Sequence, residues 1–123
     1  MRKNKVEAIA WSVEDAKRIV EAGADRIELI VNLNEGGLTP PYELVKQVCE
    51  VSGNVPVRVM VRDISESFVY SEEIMNSHIN YIKSLKDLNV AGIIFGSLNN
   101  EGKINFQDLE KGQSLAGCHI CSV

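Results

Sequence analysis

The chain has 123 residues, of which 45% are hydrophobic and 24% charged, the composition of an ordinary globular domain rather than of a disordered, collagen-like or disulfide-scaffold chain. Its formal net charge of -4 comes from 17 acidic and 13 basic residues. The basic residues are scattered rather than forming a stripe, so we expect no nucleic-acid partner. No signal peptide or membrane span is visible in the sequence. The three cysteines are expected to be reduced thiols. We therefore expect a cytoplasmic protein without membrane association.

Short apolar runs alternate with helical patterns along the chain, which predicts parallel strand-helix units. The runs comprise residues 6–11, 26–31, 55–61 and 91–95. Ser12 is a predicted N-cap for a first helix that Gly23 ends, and Ser71 is predicted to open the third helix. Between them, residues 32–41 form a predicted loop, with Pro41 in the first turn of a second helix. The sequence therefore predicts an α/β fold with about four parallel βα units.

The pattern of strand-helix units breaks near the C-terminus. Asn105 and Asp108 are predicted to cap a fourth helix at residues 106–111, but Gly112 follows after barely two turns. Residues 112–123 show no helical stripe, so the sequence predicts irregular chain there. The strand that should come next is missing from this prediction.

Two nearby segments carry a resemblance to a known family. Residues 23–29 read GADRIEL and residues 34–40 read NEGGLTP, and together they closely resemble the CutC signature, GADRIEL followed by EGGLTPS. The resemblance continues through residues 59–62, 68–71, 91–96 and 102–105. It implies that residues 1–111 are the N-terminal half of a TIM-type (β/α)₈ barrel, whose full length is about 250 residues. Residues 112–123 are then a divergent tail, as a frameshifted or prematurely ended reading frame would produce.

The resemblance also implies a role in cytoplasmic copper homeostasis, with copper as the expected metal. The family pattern has cysteines in its first two strands, which are proposed to hold copper, but here those positions are Ile9 and Ile30. Cu(I) requires soft thiolate or thioether ligands, so we expect no tight direct copper binding by residues 6–111. After Arg62 the family's Pro-Arg-Gly-Gly is replaced by Asp63-Ile64-Ser65-Glu66, which removes glycines that could wrap an anion.

Alternation along the predicted strands places four charged side chains in the barrel interior. They are Glu7, Glu28, Arg58 and Arg62. One interpretation is a site for a small anionic ligand, with Glu7 or Glu28 as catalytic acid/base and Arg62, helped by Arg58, as the anion clamp. The other is a salt-bridge layer in which Arg58 pairs with Glu7 or Glu28 and nothing is bound.

Two further groups have both a functional and a structural interpretation. Gly36 and Gly37 lie in a loop on the active-site face, where their amides could meet an anion, or they form a plain tight turn. Cys118, His119 and Cys121, with Cys49, could supply a soft-metal site, or the first three belong to an irregular tail while Cys49 is a small buried hydrophobe. His78 lies on the apolar stripe of the third helix and is predicted to be a core histidine.

Three functions are compatible with these features. The chain is a copper-homeostasis protein of the family it resembles, a barrel enzyme or binding protein for a small anionic ligand, or an inactive truncated remnant. Four strands cannot close a barrel, so the first and fourth would leave open edges. We therefore expect self-association, in which a two-fold pair of chains would restore eight strands.

Overall fold

The computed structural model describes residues 5–63, 67–105, 107, 108 and 110, and the backbone of residues 119–122. Its strands are β1 (Glu7–Ala10), β2 (Arg26–Leu29), β3 (Val57–Met60), β4 (Gly92–Phe95) and β5 (His119–Ser122). Its helices are α1 (Val13–Glu21), α2 (Tyr42–Ser52) and α3 (Glu72–Ser84). The strands form one parallel sheet in the order β1-β2-β3-β4-β5. The predicted α/β fold with parallel strand-helix units is confirmed.

Local chemistry explains where the helices begin. Ser12 accepts a hydrogen bond from the backbone N–H of Asp15 at the start of α1, and Ser71 accepts one from Ile74 at the start of α3. Each serine satisfies one of the backbone donors that a helix leaves without an intrahelical partner. Beyond α1 the chain turns at Gly23, whose φ of 82° is readily adopted by glycine. Both predicted caps are confirmed.

The main core lies between the sheet and the helices. Alternate residues of β2, β3 and β4 point toward the helices and are almost completely buried, which follows from the two-residue period of a strand. The largest fully buried side chains in this core include Ile27, Leu29, Val59, Ile82, Leu85, Ile93 and Phe95. These apolar side chains therefore hold the sheet and the helices together.

The opposite face of the sheet is the inner face expected for a barrel. Ile30, Met60 and Ile94 form a second, smaller cluster there and are 8% exposed or less. The side chains of Ile9 and Trp11, at the β1 edge of the sheet, are 45% and 51% exposed. Ile30, Met60 and Ile94 bury one another, and Ile30 lies beneath Gly37.

The C-terminal segment contains a strand that the sequence pattern did not predict. His119–Ser122 forms β5, which pairs with β4 in parallel from Gly92 to Phe95. The predicted irregular chain is therefore wrong for residues 119–122, because pairing with a buried neighbour supplies β-structure that the local sequence does not specify. Residues 111–118 lie outside the described part. With β5 beside β4, the sheet ends at β1 and β5, and two such sheets would have ten strands rather than eight.

The short helix predicted before the tail is present in part. Gln107, Asp108 and Glu110 have helical backbone, and Asn105 Oδ1 accepts a hydrogen bond from the Asp108 N–H. The predicted cap is thus confirmed, while Phe106 and Lys111 lie outside the described residues. Within the part of the chain that the structure describes, no helix has the length and apolar character needed to cross a bilayer.

Candidate functional site

Charged side chains of β1, β2 and β3 meet at the amino-terminal half of the inner face. Arg26 Nε forms an ion pair with Glu7 Oε2, and Arg58 Nη1 lies 3.9 Å from the same oxygen. Glu28 stands opposite Arg58 in the strand register and shares a hydrogen bond with Glu7. We call Glu7, Arg26, Glu28 and Arg58 the charged layer. Two of its pairings, Arg58 with Glu7 and Glu28 beside Arg58, agree with the salt-bridge interpretation.

The environment of Glu28 favours its protonated form. Burial, the hydrogen bond from Glu28 to Glu7 and the negative charge of Glu7 raise the pKa of Glu28 to about 7, and Arg58 opposes the shift. Glu7 has two guanidinium partners. Glu28 is therefore protonated up to near-neutral pH, and its hydroxyl group donates a hydrogen bond to Glu7.

The position of the charged layer along the strands bears on the catalytic interpretation. The apolar cluster of Ile30, Met60 and Ile94 comes two residues later along each strand. Arg62 follows four residues after Arg58, or about 13 Å along an extended chain. Ligand sites of parallel barrels lie at the carboxyl ends of their strands, so the predicted acid/base candidates Glu7 and Glu28 are separated from that end by an apolar layer. The structure does not bring them together with Arg62.

Arg62 lies at the carboxyl end of β3, where a barrel binds its ligand. Its guanidinium carbon is 4.5 Å from the centre of the Phe68 ring, a cation–π distance. Its Nη1 donates to the backbone carbonyl of Glu35 at 3.3 Å. The guanidinium group also lies directly against Gly36, where an added Cβ would stand 2.9 Å from Nη1. The loop after β2 and the segment before α3 therefore fix this cation at the edge of the inner face.

Of the two interpretations of Gly36 and Gly37 in the loop after β2, the hydrogen bonds favour the tight turn. Gly36 N–H donates to Leu33 O and Gly37 N–H donates to Asn32 O, so both amides are engaged inside a tight turn. Their φ values of 87° and 95° lie in the left-handed region that glycine adopts readily. The expectation that these amides meet an anion does not agree with the hydrogen bonds, and the plain-turn interpretation holds.

Asp63 connects the end of β3 to two other elements. Its carboxylate accepts hydrogen bonds from Thr39 Oγ1 at 2.8 Å and from Ser77 Oγ at 2.9 Å, and its backbone N–H donates to His78 Nε2 at 3.0 Å. Thr39 Oγ1 also accepts the Arg62 N–H at 2.7 Å, and Arg62 O accepts the Thr39 N–H. We call Thr39, Arg62, Asp63, Ser77 and His78 the Arg62 cluster.

His78 is the buried member of that cluster and has 0% exposed surface, so its predicted place in the core is confirmed. Its ring makes edge contacts with Tyr70 and Phe95, at centroid distances of 4.6 and 5.7 Å. Burial lowers the pKa of His78, against the opposing charges of Asp63 and Asp108. Burial also raises the pKa of Tyr70 to about 12, so both rings are neutral near pH 7.

A shallow hollow of about 370 Å³ adjoins the carboxyl ends of β1 and β2. It is lined by Trp11, Val31, Asn32, Leu33 and Asn34. Asn32 has a left-handed φ of 52°, and its side-chain amide donates to Glu35 Oε2 at 3.0 Å. The hollow thus opens on the same end of the sheet as Arg62.

Possible copper ligands are placed as follows. Positions 9 and 30, on the inner face, are isoleucines, and Cys49 lies on α2 against the main core, where burial raises the pKa of its thiol. Cys49 therefore behaves as the predicted small hydrophobe. No cluster of three or more His, Cys, Asp or Glu side chains of metal-binding type occurs among the described residues. Cys118 and the side chains of His119 and Cys121 lie outside them.

Some residues of these groups were missed by the sequence analysis. Arg26 shares the strand parity of Glu28, and that parity alone could have placed it on the inner face. Thr39 lies in the predicted loop at residues 32–41 and Asp63 follows the third predicted strand, and no local signal shows that they bond to each other or to α3. Their contacts depend on chain segments 14 to 24 residues apart.

Comparison with known proteins identifies the family. A model described as the CutC family matches residues 4–120, a range that extends into the predicted tail at residues 112–123. A CutC family protein of Proteus mirabilis is 34% identical over 113 residues, which are 92% of this chain and 45% of the relative. One from Mesorhizobium japonicum is 39% identical over 103 residues, or 80% of this chain and 40% of the relative. The chain thus spans less than half the length of these relatives.

Solved structures agree on the fold. The crystal structure of a "putative copper homeostasis protein CutC" from Streptococcus agalactiae superimposes with a TM-score of 0.88 at 24% identity, covering 97% of this chain and 59% of that one. A "putative phosphonomutase" from Burkholderia cenocepacia gives a TM-score of 0.60 at 12% identity, covering 96% and 52%. These similarities establish a partial TIM-type barrel.

Proposed function

Because this chain belongs to the CutC family, we propose that it serves in copper homeostasis without holding copper on the inner face of β1 to β4. The family match over residues 4–120 carries the proposal, supported by the similar fold of a protein named for copper homeostasis. Isoleucine at positions 9 and 30 offers no donor to Cu(I), which requires soft sulfur ligands. We place the protein in the cytoplasm, on the reduced state expected of its thiols.

The cellular role can be tested in a bacterium that lacks its own CutC family protein. The measurement is growth over a range of added copper, with the chain supplied on a plasmid and the empty plasmid as control. We expect the chain to shift the copper concentration that halves growth. An unchanged copper response, with the folded protein present in the cells, would contradict the homeostasis role.

Direct binding of Cu(I) is tested separately with a competing chelator. We expect only weak binding by the chain, all of it due to Cys118, His119 and Cys121, because these residues provide soft ligands outside β1 to β4. The test variant replaces the two cysteines with serine and His119 with alanine, and Cys49→Ser is the matched control. Tight binding that survives the triple substitution would contradict the proposal.

A second candidate function is the binding of a small anionic ligand at Arg62. The observation that favours it is the guanidinium group itself, which Phe68 and the carbonyl of Glu35 hold at the carboxyl end of β3. A planar guanidinium offers paired donors to carboxylate or phosphate. Glu7 and Glu28 lie below the apolar layer, so Arg62 binds the ligand without these two carboxyl groups.

Sulfate and phosphate titrations test this anion site. We expect Arg62→Met to weaken anion binding about 10-fold or more, because a charge-assisted contact is lost. Arg18→Met, on the exposed surface of α1, removes the same charge far from the site and serves as the control. Equal affinity in Arg62→Met and Arg18→Met would show that any binding is nonspecific.

A further inference from the structure

The buried ring of His78 packs against Tyr70 and Phe95 and also accepts a hydrogen bond. Its Nε2 accepts the Asp63 backbone N–H at 3.0 Å, so the lone pair lies on Nε2 and the ring proton on Nδ1. Nδ1 is buried and has no hydrogen-bond partner within the described structure. A phenylalanine would pack there without burying an unsatisfied donor, so the bond to Asp63 is what distinguishes histidine at this position.

The bond from Asp63 to His78 leads directly to Arg62. It anchors the Asp63 backbone to α3, and the Asp63 carboxylate then accepts from Thr39 and Ser77. The Thr39 hydroxyl, oriented by that donation, accepts the Arg62 N–H. The direction of each hydrogen bond is therefore consistent along the series from His78 to the backbone of Arg62.

We propose that neutral His78 is the positioning residue for Arg62, holding the end of β3 so that the guanidinium group faces an anionic ligand. This inference rests on the proposed anion site. His78 does not touch the ligand and acts only through Asp63 and Thr39. This positioning role requires a hydrogen-bond acceptor at the place that His78 Nε2 occupies.

At low pH, the hydrogen bond from the Asp63 N–H to His78 should be lost. Protonated Nε2 has no lone pair and cannot accept the Asp63 N–H, and its new proton would face Asp63 Oδ2, which is 3.6 Å away. That carboxylate oxygen already accepts from Ser77. The groups that face His78 are Asp63 and Asp108, which favour the imidazolium, while Tyr70 stays neutral. Burial outweighs the two carboxylates and lowers the His78 pKa, so release is expected below about pH 6.5, the ordinary histidine value.

Two substitutions separate positioning from packing. His78→Phe keeps a ring against Tyr70 and Phe95 but has no acceptor, whereas His78→Gln provides a carbonyl that can accept the Asp63 N–H. We expect His78→Phe to weaken sulfate binding about 2- to 10-fold, the range for one lost hydrogen bond, and His78→Gln to retain most of the affinity. Wild-type binding should weaken below about pH 6.5, while in both variants this His78-dependent step should be absent.

Nuclear magnetic resonance gives a readout that does not depend on anion binding. In ¹⁵N spectra, His78 should show the Nδ1–H tautomer, and the Asp63 amide and Arg62 Nε–H signals should move in His78→Phe but remain near their wild-type positions in His78→Gln. A wild-type ring protonated on Nε2, or equal signals in all three chains, would overturn the role of His78. If no chain binds sulfate while these signals behave as expected, the anion site is wrong and the positioning of Arg62 by His78 stands.

Discussion

The charged layer and the Arg62 cluster lie on one sheet but use their charges differently. In the charged layer, Arg26 and Arg58 both lie against the Glu7 carboxylate. In the Arg62 cluster the guanidinium contacts include an aromatic ring and a backbone carbonyl, and Asp63 is occupied by neutral donors. Buried ions that pair with one another need no ligand. Arg62 also lies at the carboxyl end of β3, where parallel barrels bind their ligands, which favours Arg62 over the charged layer as the binding position.

The largest expected effect is on the charged layer. Glu7→Gln removes the carboxylate that serves Arg26 and Arg58, so two partly buried cations lose their counter-charge. We expect the free energy of unfolding at pH 7 to fall by about 2 to 3 kcal/mol, less than for a fully buried pair because all three side chains are partly exposed. Denaturant melts measure the change, with the exposed Glu14→Gln on α1 as control. An equal loss in both variants would mean that the ion pairs contribute nothing.

A comparison of two arginines sharpens the contrast. Arg58→Met should lower the free energy of unfolding by about 1 to 2 kcal/mol and leave sulfate binding unchanged. Arg62→Met should cost about 1 kcal/mol or less, from its cation–π contact and one hydrogen bond, but weaken sulfate binding. Melts and titrations on both variants measure the two effects. The reverse pattern would exchange the roles of the two groups.

A smaller effect is expected from Glu28→Gln. The Gln side chain amide imitates the protonated carboxyl group that donates to Glu7, so it should cost little at pH 7. Because the folded-state pKa of Glu28 is raised to about 7, its stabilising contribution is full below its unfolded value and is lost as the pH rises through 7. Melts from pH 5 to 9 should therefore show a flatter pH dependence in the variant than in the wild type. A parallel curve would contradict the shared proton.

The smallest expected effect is a shift of the Trp11 fluorescence when chains associate with one another. Trp11 and Ile9 are half exposed beside the β1 edge, and unpaired strand edges recruit other chains. We expect light scattering to show a mass above the 13.6 kDa of one chain, with Trp11 emission shifting to the blue as concentration rises. A monodisperse 13.6 kDa species with cooperative unfolding and constant emission would contradict self-association.

The local order of the chain was determined by its sequence. Ser12 and Ser71 start helices because each supplies a side-chain acceptor where the backbone lacks one, and the two-residue alternation of the strands separates the core face from the face with the charges. These features depend on neighbours a few residues away. The resemblance around residues 23–40 indicated the family because a continuous motif can be recognised without a structure.

Only the tertiary structure decided which charges and donors meet. Glu7 pairs with Arg26 because β1 and β2 align at that register, and Asp63 bonds to Thr39 and His78 because three separate segments converge at the end of β3. The amides of Gly36 and Gly37 close a turn instead of facing a ligand, and β5 forms beside a buried strand. The physical reason is common to all of them: hydrogen bonds and ion pairs depend on distances of a few ångströms between residues that are distant in the chain.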